Sequence, residues 1–442
     1  MDIQLADHFT TGRLLHFSLP SIGMMVFTSI YGVVDGFFVS NFAGKAPFAA
    51  VNFIMPYLML LGALGFMLGT GGSALIGKLL GEGKPEEARG VFSLLIFTTL
   101  LAGAGIAAAG MAALRPAAAL LGADEAMQAE CARYGRIVLL ALPALMLQYE
   151  FQSFFVVAER PKLGLYATLL SGGTNMALDA LLVGALSLGT RGAAWATAIS
   201  QMVGGLAPLV YFARPNGSLL RLAKPRFSGR ALLRALGNGA SEFVSTVSMS
   251  VVGMLYNVQL LRFAGENGVA AYGVLMYVNM IFLAVFIGYS VGTAPIVSYH
   301  FGARDPAELH SLLWRSLRII GVFAVAMLAA GEALARPLAA LYVGYDAALM
   351  ALTLRGFRFF SFSFLFASVP IYGSSFFTAL NDGLTSAAIS FLRTVVFESC
   401  AVMLLPRLWG IDGIWISLVA AEAVAAAVTA SFWIAKRKKY GY

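Results

Sequence analysis

Gly81-Glu-Gly-Lys-Pro-Glu-Glu87 joins two long apolar runs, and 221 residues later the chain writes the turn again as Gly302-Ala-Arg-Asp-Pro-Ala-Glu308. The same shift lays Arg13 on Arg234, Gly71 on Gly292, and Arg115-Pro116 on Arg336-Pro337. Gly189 and Gly192 fall on Gly410 and Gly413. One slip intervenes, with Gly122 and Asp124 meeting Gly344 and Asp346 at a shift of 222. In a chain this rich in Ala and Leu, coincidences among apolar residues mean little. Loop residues held in register across most of each half mean that the chain is a duplication.

What lies between the loops fixes the class. Apolar residues make up 59% of the 442 and charged ones 12%, against about 45–50% and about 25% in soluble domains. Twelve apolar spans recur from end to end: 14–40, 46–78, 92–114, 133–158, 163–187, 192–213, 235–261, 267–300, 312–335, 354–380, 384–405 and 412–435. Each is long enough for a membrane-crossing helix of about twenty residues. Spans 1, 2, 7 and 8 run long and should be bent, tilted or partly outside lipid. A β-barrel would alternate in segments of about ten residues instead. The expectation is an all-α polytopic membrane protein with 12 transmembrane helices in two six-helix lobes. Six spans per half, an even number, keep both copies in one orientation, related by an axis along the membrane normal. The N-lobe is placed at 1–213, a linker at 214–230 and the C-lobe at 231–442; Pro215, Asn216, Gly217 and Pro225 mark the linker.

Charge orients the bundle. With both termini in the cytoplasm, 19 Lys and Arg face inward, Arg226 among them, against 10 outward, including Lys45; Arg393 sits inside a span. That bias favours N-in and C-in. The net charge of +8 therefore reads as basic cytoplasmic loops rather than nucleic-acid binding. Cys131 and Cys400 form no disulfide framework, and His8, His16, His300 and His310 no cluster. Asp2 and Asp7 stand where a cleaved signal peptide would be basic.

Enzymatic signatures are missing. Gly72-Ser-Ala-Leu-Ile-Gly77-Lys78-Leu79 nearly spells a nucleotide-binding loop, but Leu79 replaces the Mg²⁺-holding hydroxyl and the stretch follows a helix. Small residues that let helices pack closely explain it better. There is no H-E-x-x-H and no nucleophile elbow. No enzyme and no cofactor is expected, and energy must come from an ion gradient or a partner protein.

The polar residues inside the spans carry the functional information. An Asp at the centre of a spanning helix costs about 2.5–3.5 kcal/mol on insertion scales, and interhelical hydrogen bonds recover only about 0.6 kcal/mol on average. Structural glue is thus a poor reason to keep one. Asp35 lies well inside span 1, fifteen residues after Pro20, which frees a carbonyl and permits a hinge. Asp179 follows Asn175 at i, i+4 on one face of span 5. Thr197 and Gln201 share a face of span 6, and the turn near Gly189–Gly192 leaves the level of Thr197 against Asp179 open by about a helical turn. Two carboxylates close together in a dry place must share a proton or a metal cation. The second half does not repeat the pair: Tyr256 stands at the place of Asp35 and Cys400 at that of Asp179. The acids inside its spans include Glu242, Glu398 and Glu422. Glu242 is a candidate for attracting a cationic substrate. Arg393 and Glu398 lie about 140° apart round a helix, so each should find its partner on another helix. Glu150 and Gln152 lie about 200° apart, and Gln152 is the one placed toward the cleft.

These residues resemble the multidrug and toxic compound extrusion (MATE) family, in the bacterial MepA-like and DinF-like branch. The likeness rests on Leu19-Pro20 with Asp35-Gly36; Gly69-Thr-Gly71-Gly72-Ser73-Ala74; the Gly81–Pro85 turn; Asn175-Met-Ala-Leu-Asp179; Gly192-Ala-Ala-Trp-Ala-Thr197; and Gly302-Ala-Arg. It implies a V-shaped pair of lobes and antiport of organic cations against H⁺ or Na⁺. It also implies a coupling-cation site, possible for Na⁺, at Asp35, Asn175, Asp179 and Thr197. Tyr31, Gln152 and Glu242 match polar positions of the substrate cleft. Val157-Ala-Glu-Arg160 departs from the family's usual run after span 4 by lacking its Gly. Span 10 lacks an acid that one branch uses for Na⁺, which moves the site to the N-lobe.

The expected function is a cation-coupled antiporter exporting small organic cations by alternating access, as a monomer in the bacterial cytoplasmic membrane. A lipid-linked oligosaccharide flippase of the same superfamily and a non-transporting scaffold or receptor are the alternatives. The flippase would want a cleft rich in Arg and Lys.

Overall fold

A computed structural model describes residues 3–43, 45–225, 227–344 and 346–442. Arg226 and the Lys45 side chain, both counted among the basic loop residues, lie outside that description. The described residues are almost wholly helical and contain no strand.

Eight helices are long and apolar enough to cross a bilayer. One of them, Gly229–Gly302, is two spans joined at Gly265, where φ is 61° and no L side chain would sit easily. Two further spans are bent pairs, Glu125–Leu140 with Leu142–Val157 at 57° and Ala347–Phe360 with Ser363–Ala379 at 52°. Pro161–Leu178, continued by the wider π turn Asp179–Ala185, supplies the twelfth. Span 1 is Thr11–Phe38 with a π turn at Val39–Ala43, and span 2 is Lys45–Gly81. Span 11 is Gly383–Phe391 with a π turn at Leu392–Glu398, and span 12 is Ile411–Tyr440. Leu101, Val322 and Ile434, among many large apolar side chains, stay exposed, which lipid and not water would tolerate.

The residues that revealed the repeat turn out to begin helices and to let them touch. Pro85 and Pro306 each hold the first turn of a span, where a missing N–H costs nothing. Asp124 and Asp346 each cap one, Asp124 accepting from Met127 N at 2.8 Å and Asp346 from Ala348 N at 2.9 Å. Gly71, Gly77, Gly81, Gly292 and Gly302 form a seam between the halves. A Cβ on Gly81 would lie 1.9 Å from the Tyr299 carbonyl, and one on Gly302 would lie 2.1 Å from that of Lys78. These are the same contact seen twice, because Lys78 and Tyr299 are themselves repeat partners. A Cβ on Gly71 would lie 2.5 Å from Gly239 N, and one on Gly292 would lie 2.9 Å from Ser18 Cα, a second matched pair. Gly77 meets Ser298, its own counterpart, on the pseudo-twofold axis. The stretch resembling a nucleotide loop is therefore the seam's span 2 side.

These close approaches fall in the half of spans 1, 2, 7 and 8 nearer the termini, so the lobes join at that end. Other contacts reinforce it. The segment before span 1 runs across both lobes, with Leu5 N donating to Glu159 Oε1 at 2.6 Å and Phe9 N to Glu308 Oε1 at 2.9 Å. Asn381, in the turn before span 11, donates to the Ala74 carbonyl across the seam at 3.2 Å and accepts from Asn238 at 2.8 Å. Beside it, Asp382 Oδ2 accepts from Lys436 Nζ and Tyr440 Oη, each at 2.7 Å, and from Thr385 at 2.8 Å. Burial alone would raise the Asp382 carboxyl, but the hydrogen bonds from Lys436, Tyr440 and Thr385 outweigh it and hold the group at about 2.

Gly81→Leu and Gly302→Leu should destabilise the seam alike, by about 1–3 kcal/mol or more, whereas Gly105→Leu, with nothing within 4 Å, should not. Thermal unfolding of the purified variants checks the symmetry, and a large effect in only one of the pair would contradict it. Asp382→Asn should cost about 1.5–3 kcal/mol of its charge-assisted bonding at pH 7. Because the folded carboxyl sits below its ordinary 3.8, that stabilisation is full above the ordinary value and is lost as pH falls toward 2. Wild type and variant should therefore converge in unfolding temperature on acidification.

Candidate cation site

Asp35 and Asp179 come from different spans but meet. Asp35 lies one turn before the π turn that ends span 1, and its carbonyl accepts from the Val39 N–H. Asp179 opens the π turn of span 5. Such turns insert an extra residue into the helix and recur at functional sites. The two carboxyl groups face each other within hydrogen-bonding reach. Asp179 is fully buried and Asp35 half-buried. Among the described residues no Lys or Arg faces the pair.

Two carboxylates cannot satisfy one another, since neither has a proton to donate. Both Asp179 oxygens and Asp35 Oδ1 are buried with no donor. Asn175 Oδ1, one turn before Asp179, and Thr197 Oγ1 on span 6 are buried and unpartnered as well. Tyr134 of span 4, 1% exposed, stands beside Thr197 and faces both aspartates. Among the described residues Thr197 is thus linked to the pair only through Tyr134, and Tyr134 is the neighbour nearest to satisfying the Thr197 hydroxyl. Five buried oxygens without a donor thus come from four residues on three spans. Hard cations and protons are what such a set of oxygens accepts. Among the described residues no group of three or more His, Cys, Asp and Glu gathers for a metal; the set's other oxygens belong to an amide and a hydroxyl.

The remaining candidates spread around this centre. Tyr31, one turn before Asp35, faces both Asp35 and Gln148 and packs on Gly172 of span 5. Gln152 is 4% exposed, with both amide atoms unpartnered. With Gln148, Thr168 and Gly204 it lines a cavity of about 10 Å³ between spans 4, 5 and 6. Glu150 points the other way, accepting from Thr99 on span 3. Glu242 stands apart from the aspartates, half-buried on span 7 with no ion pair among the described residues. Pro20 is buried where span 1 crosses span 8, beside Ser18, Ser21 and Ile22, which contact Gly288 and Gly292. Sequence reasoning passed over Gln148 and Tyr134. The i, i+4 spacing of Gln148 and Gln152 was a usable signal; Tyr134 offered none.

Comparison with known proteins bears on the family and the fold. The MatE family model matches residues 20–181 and again 243–400, once in each half. The "Multidrug export protein MepA" of Staphylococcus haemolyticus (strain JCSC1435) is 27% identical over 93% of this chain and 91% of its own. The protein of that name from Staphylococcus saprophyticus is 25% identical over the same shares. Among solved structures, an outward-facing multidrug resistance MATE family transporter of the MOP superfamily superposes with a TM-score of 0.93, at 22% identity, over 99% of this chain and 98% of that one. A MOP superfamily transporter from Pyrococcus furiosus, described as having reversed pocket polarity and suggesting a different function, superposes at 0.91 and 21% identity, over 98% of each chain. With two matches spaced as the repeat is spaced, and a fold shared from end to end, this chain belongs to the MATE family.

Proposed function

We propose that this protein exports small organic cations across the bacterial cytoplasmic membrane, driven by inward movement of H⁺ or Na⁺ through the N-lobe. The observation that carries the reading is the facing Asp35 and Asp179, whose buried oxygens, with those of Asn175 and Thr197, have no donor. A buried polar group left without a partner is costly, and a bound cation relieves several at once. The names of the MepA relatives support export of drugs as the outcome.

In this reading the seam near the termini is the closed, cytoplasmic side, as the N-in, C-in charge bias suggests. The cleft between lobes 1–213 and 231–442 then opens outward. Asp35 and Asp179 take up the coupling cation from outside, and Asn175 and Thr197 complete its shell. Charge neutralised there rearranges span 1 about Pro20 and weakens the hold on drug at Tyr31, Gln152 and Glu242. The lobes rock, the seam parts, and the cation leaves to the inside. A membrane potential of 100 mV contributes about 2.3 kcal/mol per positive charge moved inward. One drug cation exchanged for one H⁺ would be electroneutral, so the potential helps only at a higher ion count. The protein works as a monomer in lipid, without cofactor.

A flippase for lipid-linked pyrophosphate would need free cationic side chains in the cleft. Arg393, inside span 11, gives three hydrogen bonds to both oxygens of Glu422 at 2.7–3.0 Å. It has no charge to spare for phosphate.

Ethidium efflux in everted vesicles tests the assignment. Asp35→Asn and Asp179→Asn should each cut gradient-driven transport at least tenfold, about 1.4 kcal/mol, and Thr197→Val should cut it less. Full transport by both Asp variants would sink the reading. Ion release on adding ethidium to purified protein, with Na⁺ and pH varied separately, identifies the ion. Release of neither H⁺ nor Na⁺ would favour the scaffold or receptor instead.

A further inference from the structure

The C-lobe carries an ionisable cluster of its own. Spans 7, 11 and 12 are the repeat counterparts of spans 1, 5 and 6, and they bring together Tyr256, Arg393, Glu398 and Glu422. Arg393 and Glu422 form a closed pair, Nε donating to both carboxylate oxygens at 3.0 Å and Nη2 to Oε1 at 2.7 Å. Glu422 is 3% exposed. Glu398 lies at the end of the π turn that contains Arg393. It faces Arg393 on its own helix, Glu422 on span 12, and Tyr256 on span 7. Tyr272 of span 8 closes the fourth side, stacked on Tyr256 at 4.8 Å.

One guanidinium stands against two carboxylates. Its bonds go to Glu422, so among the described residues Glu398 has no bonded cation, only the field of the shared Arg393. An ionised carboxylate left so within a spanning helix is expensive. A second observation points the same way. Tyr256 is 1% exposed, its hydroxyl makes no hydrogen bond, and it is directed at Glu398. A buried hydroxyl without a partner marks a place where something else completes the network.

We propose that Glu398 is a second exchangeable proton site, held in the C-lobe between the Arg393–Glu422 pair and Tyr256. The carboxylate takes one proton from water and becomes a neutral acid, and no other bond changes. Arg393 acts as a tethered cation that permanently neutralises Glu422, where the N-lobe uses an exchangeable one. This site is independent of the aspartate pair and adds its own proton to the protein's uptake.

Infrared difference spectroscopy between pH 5 and pH 9 on the full chain in phospholipid vesicles, with no drug present, reads protonated carboxyl groups directly. The expected result is a pH-dependent carboxylic C=O band that is lost in Glu398→Gln and kept in the Asp35→Asn/Asp179→Asn double variant. Glu422→Gln should also lose it, because Arg393 is then free to neutralise Glu398. An unchanged set of bands in Glu398→Gln, or a band kept in full by Glu422→Gln, would overturn the proposal. Loss of bands only in the aspartate double variant would do so too, while leaving the N-lobe reading standing.

Discussion

Span 2 crosses its counterpart, span 8, at Gly77 and Ser298, and the rest of the architecture depends on how closely their backbones approach there. In lipid, apolar side chains gain nothing by leaving a solvent as apolar as themselves. Association must come from backbone proximity and packing, which small residues allow. The seam is therefore built from glycines, and the repeat makes it self-complementary. Gly81 on Tyr299 and Gly302 on Lys78 are one contact used twice. A joint of this kind holds through close backbones and the side chains packed beside them. Polar ties gather at the same end: the segment before span 1, Asn381, and the Asp382–Lys436 pair.

Most of this was legible in sequence. The repeat showed itself through loop residues because they do jobs that tolerate few substitutes. Pro85 and Pro306 start helices, Asp124 and Asp346 cap them, and Gly81 and Gly302 touch across the seam. The slip from 221 to 222 falls between the spans it separates and so costs no packing. What sequence could not show was local winding. Steps of 100° per residue describe an α-helix, but Asp179–Ala185 and Leu392–Glu398 are wound more widely. Five residues separate Arg393 from Glu398, and a π turn links positions five apart. The two therefore lie nearer one another than 140° implies, though the ion pair itself goes to span 12, as expected.

The site followed the same division. Spacing put Asn175 and Asp179 on one face, a carboxyl inside span 1 marked Asp35, and the resemblance joined these with Thr197 into one site. None of these could say that Tyr134 would join Thr197 to the pair, because that depends on how span 4 bends between Glu125–Leu140 and Leu142–Val157. Gln152 shows the limit from the other side. It was placed toward the cleft by facing away from Glu150, and it does face away, into a small cavity between spans 4, 5 and 6.

The π turns connect these findings. All three in the described residues fall beside ionisable groups inside the membrane: after Asp35, at Asp179, and across Arg393 to Glu398. A helix in lipid satisfies its own backbone and holds each side chain at a fixed angle. Inserting one residue loosens that rule locally and turns a polar group toward neighbours on other helices. The two lobes use this freedom differently. In the N-lobe it gathers oxygens with no cationic side chain among them. In the C-lobe it gathers carboxylates around a guanidinium fixed to the chain. Duplication supplied two equal frames, and in the function proposed for them the difference between a mobile and a tethered positive charge divides their work.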